Sequence, residues 1–385
     1  MQLSPFTDHL QPFLAMEIME RGMHLQREGH EVLQLCVGEP DFAPPDEVVI
    51  AATRALQDGE THYTDSRGLR ELREAIAHDC LKRRGIEVSP DRILVTSGTS
   101  PAISMVLRLL LSPGDELILP TPHYPCYVNM VALCGARCVL VPTRAEQGYR
   151  IDVAKVRAAI GPRTRAIVVA SPANPTGAVQ PPEVMRALAD LGLPLLSDEI
   201  YDGLLFDGAR AYSPLGDSEQ CFVFDGFSKR HAMTGFRLGY VIAPATVSRR
   251  LQIMQQNLHI SALHFGQRAA IAALEHGAAH LERTRSIYAR RREVLLHGLR
   301  GLGFQIPVAP EGAFYVLAGA PQLGDDSLAA ATRLLEHAHV AVGPGRDFGA
   351  IAEGHLRFSY ATSEAEIAKA IARLARYLRD APAQL

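Results

Sequence analysis

The chain has no tryptophan, and its charges nearly cancel: Lys and Arg total 39, Asp and Glu 42, for a net charge of -3. That balance gives no long-range pull on a polyanion, so nucleic acid is not an expected partner. No apolar run is long enough to span a bilayer, and no membrane partner is expected. The opening Met1-Gln2-Leu3-Ser4-Pro5-Phe6 lacks a basic start with an apolar stretch behind it. It does not read as a secretory signal, and the cytoplasm is the expected location. The six cysteines (Cys36, Cys80, Cys126, Cys134, Cys138, Cys221) form no CxxC pair and show no zinc-ligand spacing with histidine. They read as small core residues kept reduced. His337 and His339 have no HExxH context, so packing explains them better than a metal. No internal repeat and no low-complexity segment is present. Apolar residues are plentiful, at 47% of the 385. That composition is far from disorder, and the length favours two domains over one core.

Residues 16–28 have the charge spacing of a helix with a solvated face, closed by Gly29. Residues 32–35 read as a short strand leading to Gly38-Glu39-Pro40-Asp41-Phe42, and Pro44-Pro45 marks a break. Helical patterns then fit 47–57, 68–83 and 102–111. Short apolar strands fit 93–96, 116–119, 136–141, 166–170, 193–196 and 221–224. Unbroken rather than alternating apolar strands point to a mostly parallel sheet covered on both faces, in a doubly wound α/β domain. Residues 269–302 read as one helix carrying Arg290-Arg291-Arg292 on a solvated face. A compact α+β pattern runs from Gly303 to the C-terminus. The expected division is an arm at 1–44, a large domain at 45–275, and a connecting helix with a smaller domain at 276–385.

The most informative string is Asp225-Gly226-Phe227-Ser228-Lys229-Arg230-His231-Ala232-Met233-Thr234-Gly235-Phe236-Arg237. Lys229 follows the apolar strand 221–224. A lysine at a strand's C-terminal edge beside other cations loses its proton more easily than a solvated one, and a neutral amine can form a Schiff base. Arg237 offers a planar fork to a phosphate. A phosphorylated aldehyde cofactor, pyridoxal 5′-phosphate, satisfies both, whereas either residue alone would read as ordinary surface chemistry.

Other motifs fall at strand ends, where open α/β sheets bind ligands. In Ser97-Gly98-Thr99-Ser100-Pro101, Ser100 suits an N-cap and Pro101 the first helical position. The free N–H groups of that helix, with Thr99 and Ser100, can receive an anion, or simply cap the helix. Asn174, in Ser171-Pro172-Ala173-Asn174-Pro175-Thr176-Gly177, either donates to an oxygen on an aromatic ring or belongs to a plain turn. Asp198, ending the strand at 193–196, needs a partner when buried. A pyridinium N–H would serve, with Tyr201 reaching the ring's phenolic oxygen; otherwise Asp198 caps a helix starting at Glu199. Arg357, in His355-Leu356-Arg357-Phe358-Ser359-Tyr360, sits on the face opposite Leu356, Phe358 and Tyr360 and wants a carboxylate. That carboxylate is a substrate's or an internal Asp or Glu.

Taken in order, Gly38-Glu39-Pro40, Tyr63-Thr64, Ser97-Gly98-Thr99, Asn174-Pro175-Thr176-Gly177, Asp198-Glu199-Ile200-Tyr201, Ser228-Lys229, Arg237 and Arg357 resemble the class I/II aminotransferases of fold type I over nearly the full chain. The resemblance implies a large doubly wound domain plus a smaller α+β domain, and amino-group exchange between an L-amino acid and a 2-oxo acid. Lys229 would hold pyridoxal 5′-phosphate covalently and shuttle the proton. Asp198 would pair with the pyridine nitrogen, Tyr201 and Asn174 with the ring oxygen, and Tyr124 would stack on the ring. Gly98, Thr99, Ser100, Ser228 and Arg237 would bind the phosphate, joined by Tyr63 of a neighbouring subunit, which implies a homodimer. Arg357 and the backbone at Gly38 would hold the substrate carboxylate, with Asn174 beside them. The chain departs from one family branch in having Gly226 where a phosphate-binding serine stands. It departs from an aspartate-preferring branch in having Ser100 where a lysine reaches the distal carboxylate, which argues against a strong preference for aspartate.

Two alternatives stand beside this one. A β-lyase would use the same ring and lysine to expel a group from Cβ. A cofactor-sensing regulator would need a helix-turn-helix module and linker, for which the ~40 residues before the main domain are too few.

Overall fold

The computed structural model describes residues 4–380; Met1–Leu3 of the opening segment lie outside them. Helix α1 (Leu14–Arg27) and strand β1 (Leu33–Gln34) precede α2 (Asp46–Gln57) and α3 (Arg70–Arg84). Gly85 ends α3 with φ 68°, a left-handed cap that suits glycine. Next come β2 (Ile93–Thr96), α4 (Thr99–Leu110), β3 (Glu116–Thr121), α5 (Cys126–Ala132), β4 (Arg137–Pro142) and α6 (Val153–Ala158). They are followed by β5 (Thr164–Ala170), α7 (Pro182–Ala189), β6 (Leu195–Asp198), β7 (Cys221–Gly226) and β8 (Gly239–Ile242). The remainder is α8 (Ala245–Leu258), α9 (His264–His276), α10 (Ala278–Gly301), β9 (Tyr315–Gly319), α11 (Ser327–Ala338), β10 (Val340–Ala341), β11 (Gly343–Pro344), β12 (His355–Ser359) and α12 (Glu364–Asp380).

The main sheet has seven strands in the order β2-β8-β7-β6-β5-β3-β4. All its pairs are parallel except those of β8, which runs antiparallel to both β2 and β7. β2, β6, β7 and β8 are buried at every position, because helices cover both faces. This is the expected doubly wound α/β sheet, with β8 as an unforeseen addition. A second sheet, β11-β12-β9, is antiparallel. β1 pairs in parallel with β10, so the chain's first strand rests on its last third. Among the described residues no helix is long and apolar enough to cross a membrane.

Three local expectations need correcting. Residues 269–302 are two helices, interrupted at Gly277, and Arg291 and Arg292 are buried in pairs with Asp41 and Asp207 rather than on a solvated face. Helix α4 starts at Thr99 with Gly98 as its N-cap, so Ser100 and Pro101 lie inside its first turn. Gly98 has φ 100°, which a side chain resists, and this moves the helix start upstream of the sequence-based position. No helix starts at Glu199: residues 200–203 form a turn.

Candidate active site

The C-terminal ends of the parallel strands open onto a cavity of about 470 Å³. Lys229 lies in the turn after β7, and its Nζ donates to the Gly38 carbonyl at 2.5 Å. Burial pushes its pKa down to about 8; Glu39 opposes this, and Arg357 and Arg237 reinforce it. The amine therefore releases its proton far more readily than a solvated lysine.

Asp198 ends β6 and is buried. Its Oδ2 accepts from Tyr127 Oη at 2.5 Å and its Oδ1 from the Ile200 N–H at 3.2 Å. Burial raises its pKa to about 6, while the Tyr127 hydroxyl, the Ile200 N–H and Lys229 pull the other way. No cation bonds it among the described residues. Tyr127 itself stays protonated, because burial and Asp198 both push its pKa well up.

Arg357, on β12, is 2% exposed. It donates from Nη1 to Asn174 Oδ1 at 2.9 Å and from Nη2 to the Cys36 carbonyl at 2.5 Å. Its guanidinium lies over Tyr315 and Phe348, 4.5 and 4.9 Å from their ring centroids. Nε has no partner. The internal Asp or Glu that the sequence left open is absent among its described bonding partners. The expected facing also changes: Leu356, Arg357, Phe358 and Ser359 are all buried, since β12 is covered on both sides.

Asn174, with Oδ1 taken by Arg357, has its amide nitrogen left to donate. Tyr201 Oη is 2.8 Å from Tyr315 Oη. Gly38, Thr99, Ser100, Tyr124 and Ser228 also line the cavity. Arg237 lines it from a left-handed backbone position, φ 49°, with Nη1 donating to the Thr234 carbonyl at 3.1 Å. A Cβ at Gly98 would come within 2.8 Å of Arg237 Nη2, so glycine lets the guanidinium lie against the loop that opens α4. Tyr63 is not part of this cavity within one chain: it is 77% exposed, on the loop after α2.

Sequence reasoning missed Tyr127, Tyr315, Phe13 at the N-cap of α1, and the α1 residues Met16 and Met19, all of which line the cavity. Tyr127 lies in the first turn of α5 and Tyr124 in the loop before it, so no helical spacing joins the two in the sequence. It also missed a buried ionic cluster beneath Asp198 and Lys229. Arg84 reaches Glu199 at 2.8 Å and Asp225 at 2.9 Å, Arg83 reaches Asp225 at 3.0 Å and Asp79 at 2.9 Å, and both bond Asp202. Arg230 joins through Asp79 at 3.2 Å. These pairs tie α3 to the ends of β6 and β7. Among the described residues no group of His, Cys, Asp and Glu is placed to hold a metal ion.

The family model for "Aminotransferase class I and II" matches residues 30–374. The aspartate/prephenate aminotransferase of Thermus thermophilus is 41% identical over 98% of each chain. The arginine–pyruvate transaminase of Pseudomonas aeruginosa is 37% identical over 97% of this chain and 98% of its own. Among solved structures, the Thermus thermophilus aspartate aminotransferase with maleate superposes with a TM-score of 0.93 at 41% identity, covering 98% of this chain and 99% of that one. An aminotransferase from Mycobacterium tuberculosis gives 0.94 at 34% identity, covering 99% of this chain and 100% of that one. These relatives favour amino transfer over the β-lyase alternative. With its doubly wound sheet, its strand-end cavity and these full-length likenesses, the chain belongs to the class I and II aminotransferases, enzymes that move an amino group between an amino acid and a 2-oxo acid.

Proposed function

We propose that the cavity holds pyridoxal 5′-phosphate and that Lys229 is its covalent attachment point. One observation carries the reading: a single cavity exposes two unmet buried charges, the Asp198 carboxylate without a bonded cation and the Arg357 guanidinium without a carboxylate. A ring N–H⁺ answers the first and a substrate α-carboxylate the second. The N–H groups opening α4, the hydroxyls of Thr99, Ser100 and Ser228, and the Arg237 fork supply donors for a phosphate. Gly98 fits this too, because a side chain there would crowd Arg237.

When bound, the cofactor supplies an electron sink for the bonds of the substrate α-carbon. The chain's own residues do the rest. Lys229, with its pKa near 8, moves the proton at that carbon. Asp198 stays ionised against the ring nitrogen, held in place by Tyr127. Tyr201 and the Asn174 amide would hold the ring oxygen, and Tyr124 would lie against the ring. Arg357 and the Gly38 N–H clamp the α-carboxylate, turning the reacting bond toward Lys229.

In this reading Tyr63 serves the phosphate of a second copy, so the working unit is a homodimer; its exposure in one chain supports this. Residues 45–275 form the cofactor domain, and 1–44 with 276–385 the smaller one. Support comes from the apolar clusters, one of which joins Ile18–Cys36 to the C-terminal segment, with Tyr201, Leu204 and Phe206 of the cofactor domain packed into it. Six cysteines without a disulfide suit the cytoplasm.

The test is spectroscopic. Protein incubated with pyridoxal 5′-phosphate and desalted should keep a visible absorption band that borohydride fixes to Lys229, and an amino donor should bleach it. Protein that takes up no cofactor and stays colourless would sink the reading.

A further inference from the structure

Part of the cavity has a chemistry the amino-transfer reaction does not use. Phe13, the N-cap of α1, lines it with Met16 and Met19 of that helix and Ile103 of α4, and Tyr124, assigned above to the ring, borders them. Phe13 meets Tyr124 edge-on, ring centroids 6.0 Å apart. Asp347 fixes α1 in place: its carboxylate accepts from the Leu14 and Ala15 N–H groups at 2.9 and 2.7 Å, an anion on a helix N-terminus. The cations lining the cavity, among the described residues, are Lys229, Arg237 and Arg357. All three are engaged in the reading above, by the cofactor's aldehyde carbon, its phosphate and the substrate's α-carboxylate. The one further charged side chain lining the cavity besides Asp198 is Glu39, another carboxylate, bonded to Thr234 Oγ1.

Resting on that reading, we infer that the site selects amino donors with an uncharged apolar side chain, aliphatic, thioether or aromatic, and discriminates against aspartate and glutamate. An apolar side chain gains free energy by leaving water for the Phe13, Met16, Met19 and Ile103 surface. A distal carboxylate in the same place would lose hydration without gaining a counter-ion from this chain, with Glu39 adding like-charge repulsion. Methionine side chains adapt to several shapes, so the selection is by polarity more than by outline. Arginine is the informative control, because Glu39 could pair with it.

The experiment uses the holoenzyme. Bleaching of the visible band is followed with leucine, methionine, phenylalanine, aspartate, glutamate and arginine as donors. The best apolar donor should exceed aspartate in kcat/KM by about 10-fold or more, the scale on which pocket contacts discriminate. Aspartate, glutamate or arginine as the best donor overturns the inference and leaves the cofactor reading standing. A band that none of these donors bleaches overturns the inference, and no band at all takes both down.

Binding without turnover gives a second readout. 4-Methylpentanoate, leucine without its amine, should raise the holoenzyme's melting temperature more than succinate, aspartate without its amine; the reverse order overturns the inference. Met16 is half-exposed, so Met16→Arg adds a cation to this wall without burying it. That variant should raise the aspartate-to-leucine ratio by about 10-fold. An unchanged ratio would show that α1 does not face the donor's side chain, and the inference falls.

Discussion

Tyr127 donates its hydroxyl to Asp198 Oδ2 at 2.5 Å, and both groups are buried. This bond opposes the burial that raises the Asp198 pKa to about 6. Tyr127→Phe removes the donor, so that pKa rises further. The acid limb of the kcat/KM profile should move to higher pH, and kcat/KM at neutral pH should fall about 10-fold, the worth of one strong hydrogen bond to a charged group. A lower kcat/KM with an unmoved acid limb would show that Tyr127 serves packing only.

Lys229 titrates low because burial disfavours its charged form. Covalent capture of pyridoxal 5′-phosphate by the apoenzyme needs the neutral amine, so the capture rate should climb with pH through about 8 and level off above it. An inflection near the ordinary lysine value would contradict the burial argument. Lys229→Ala should leave no borohydride-fixed cofactor on the chain.

Arg357→Lys keeps a positive charge but loses the fork and the stacking on Tyr315 and Phe348. KM for the amino donor should rise roughly 10- to 100-fold, with kcat changed less. Equal losses in both would mean that Arg357 acts on the reacting bond rather than on the carboxylate.

Arg84 compensates Glu199 and Asp225, and all three side chains are nearly inaccessible to solvent. Arg84→Met strands those carboxylates and should cost about 3–5 kcal/mol of stability, read from the midpoint of urea unfolding. A midpoint that does not move would show that Arg83 alone neutralises the cluster.

Tyr63→Ala and Lys229→Ala place their lesions at opposite ends of the proposed shared site. Each variant alone should bind cofactor poorly or not covalently. Mixed after subunit exchange, they should regain tight covalent binding, because a mixed dimer holds an intact Lys229 beside an intact Tyr63. Failure to complement would argue that Tyr63 serves its own chain or no site at all.

Much of this was legible from local signals. The strand runs at 93–96 and 221–224 and the helix at 47–57 sit within a residue or two of β2, β7 and α2, because short apolar runs between glycines and prolines admit few other readings. β8 was hidden: Gly239-Tyr240-Val241-Ile242 follows the Arg237 turn too closely to look like a separate strand. The break at Gly277 is one residue long, too short to interrupt the helical pattern of the sequence. Lys229, Asp198 and Arg357 could be named because each is a charge placed against an apolar strand. Tyr127 and the α1 methionines look like ordinary apolar helix positions, and only the assembled fold turns them toward a cavity. The carboxylate partners of Arg83 and Arg84 come from the ends of β6 and β7, which no local pattern announces.

The pairing of β1 with β10 has a consequence for biosynthesis. Helix α1 and strand β1 leave the ribosome well before their partners Val340, Ala341 and Asp347. The seven-stranded sheet is complete in sequence by Ile242 and can assemble earlier. Helix α1 and β1, made before the main sheet, thus dock after it. During elongation its apolar face, with Ile18 and Leu25, has no cover. A chain stalled before residue 340 would carry a finished main sheet and an unseated leading helix, the state in which chaperone capture has most to act on.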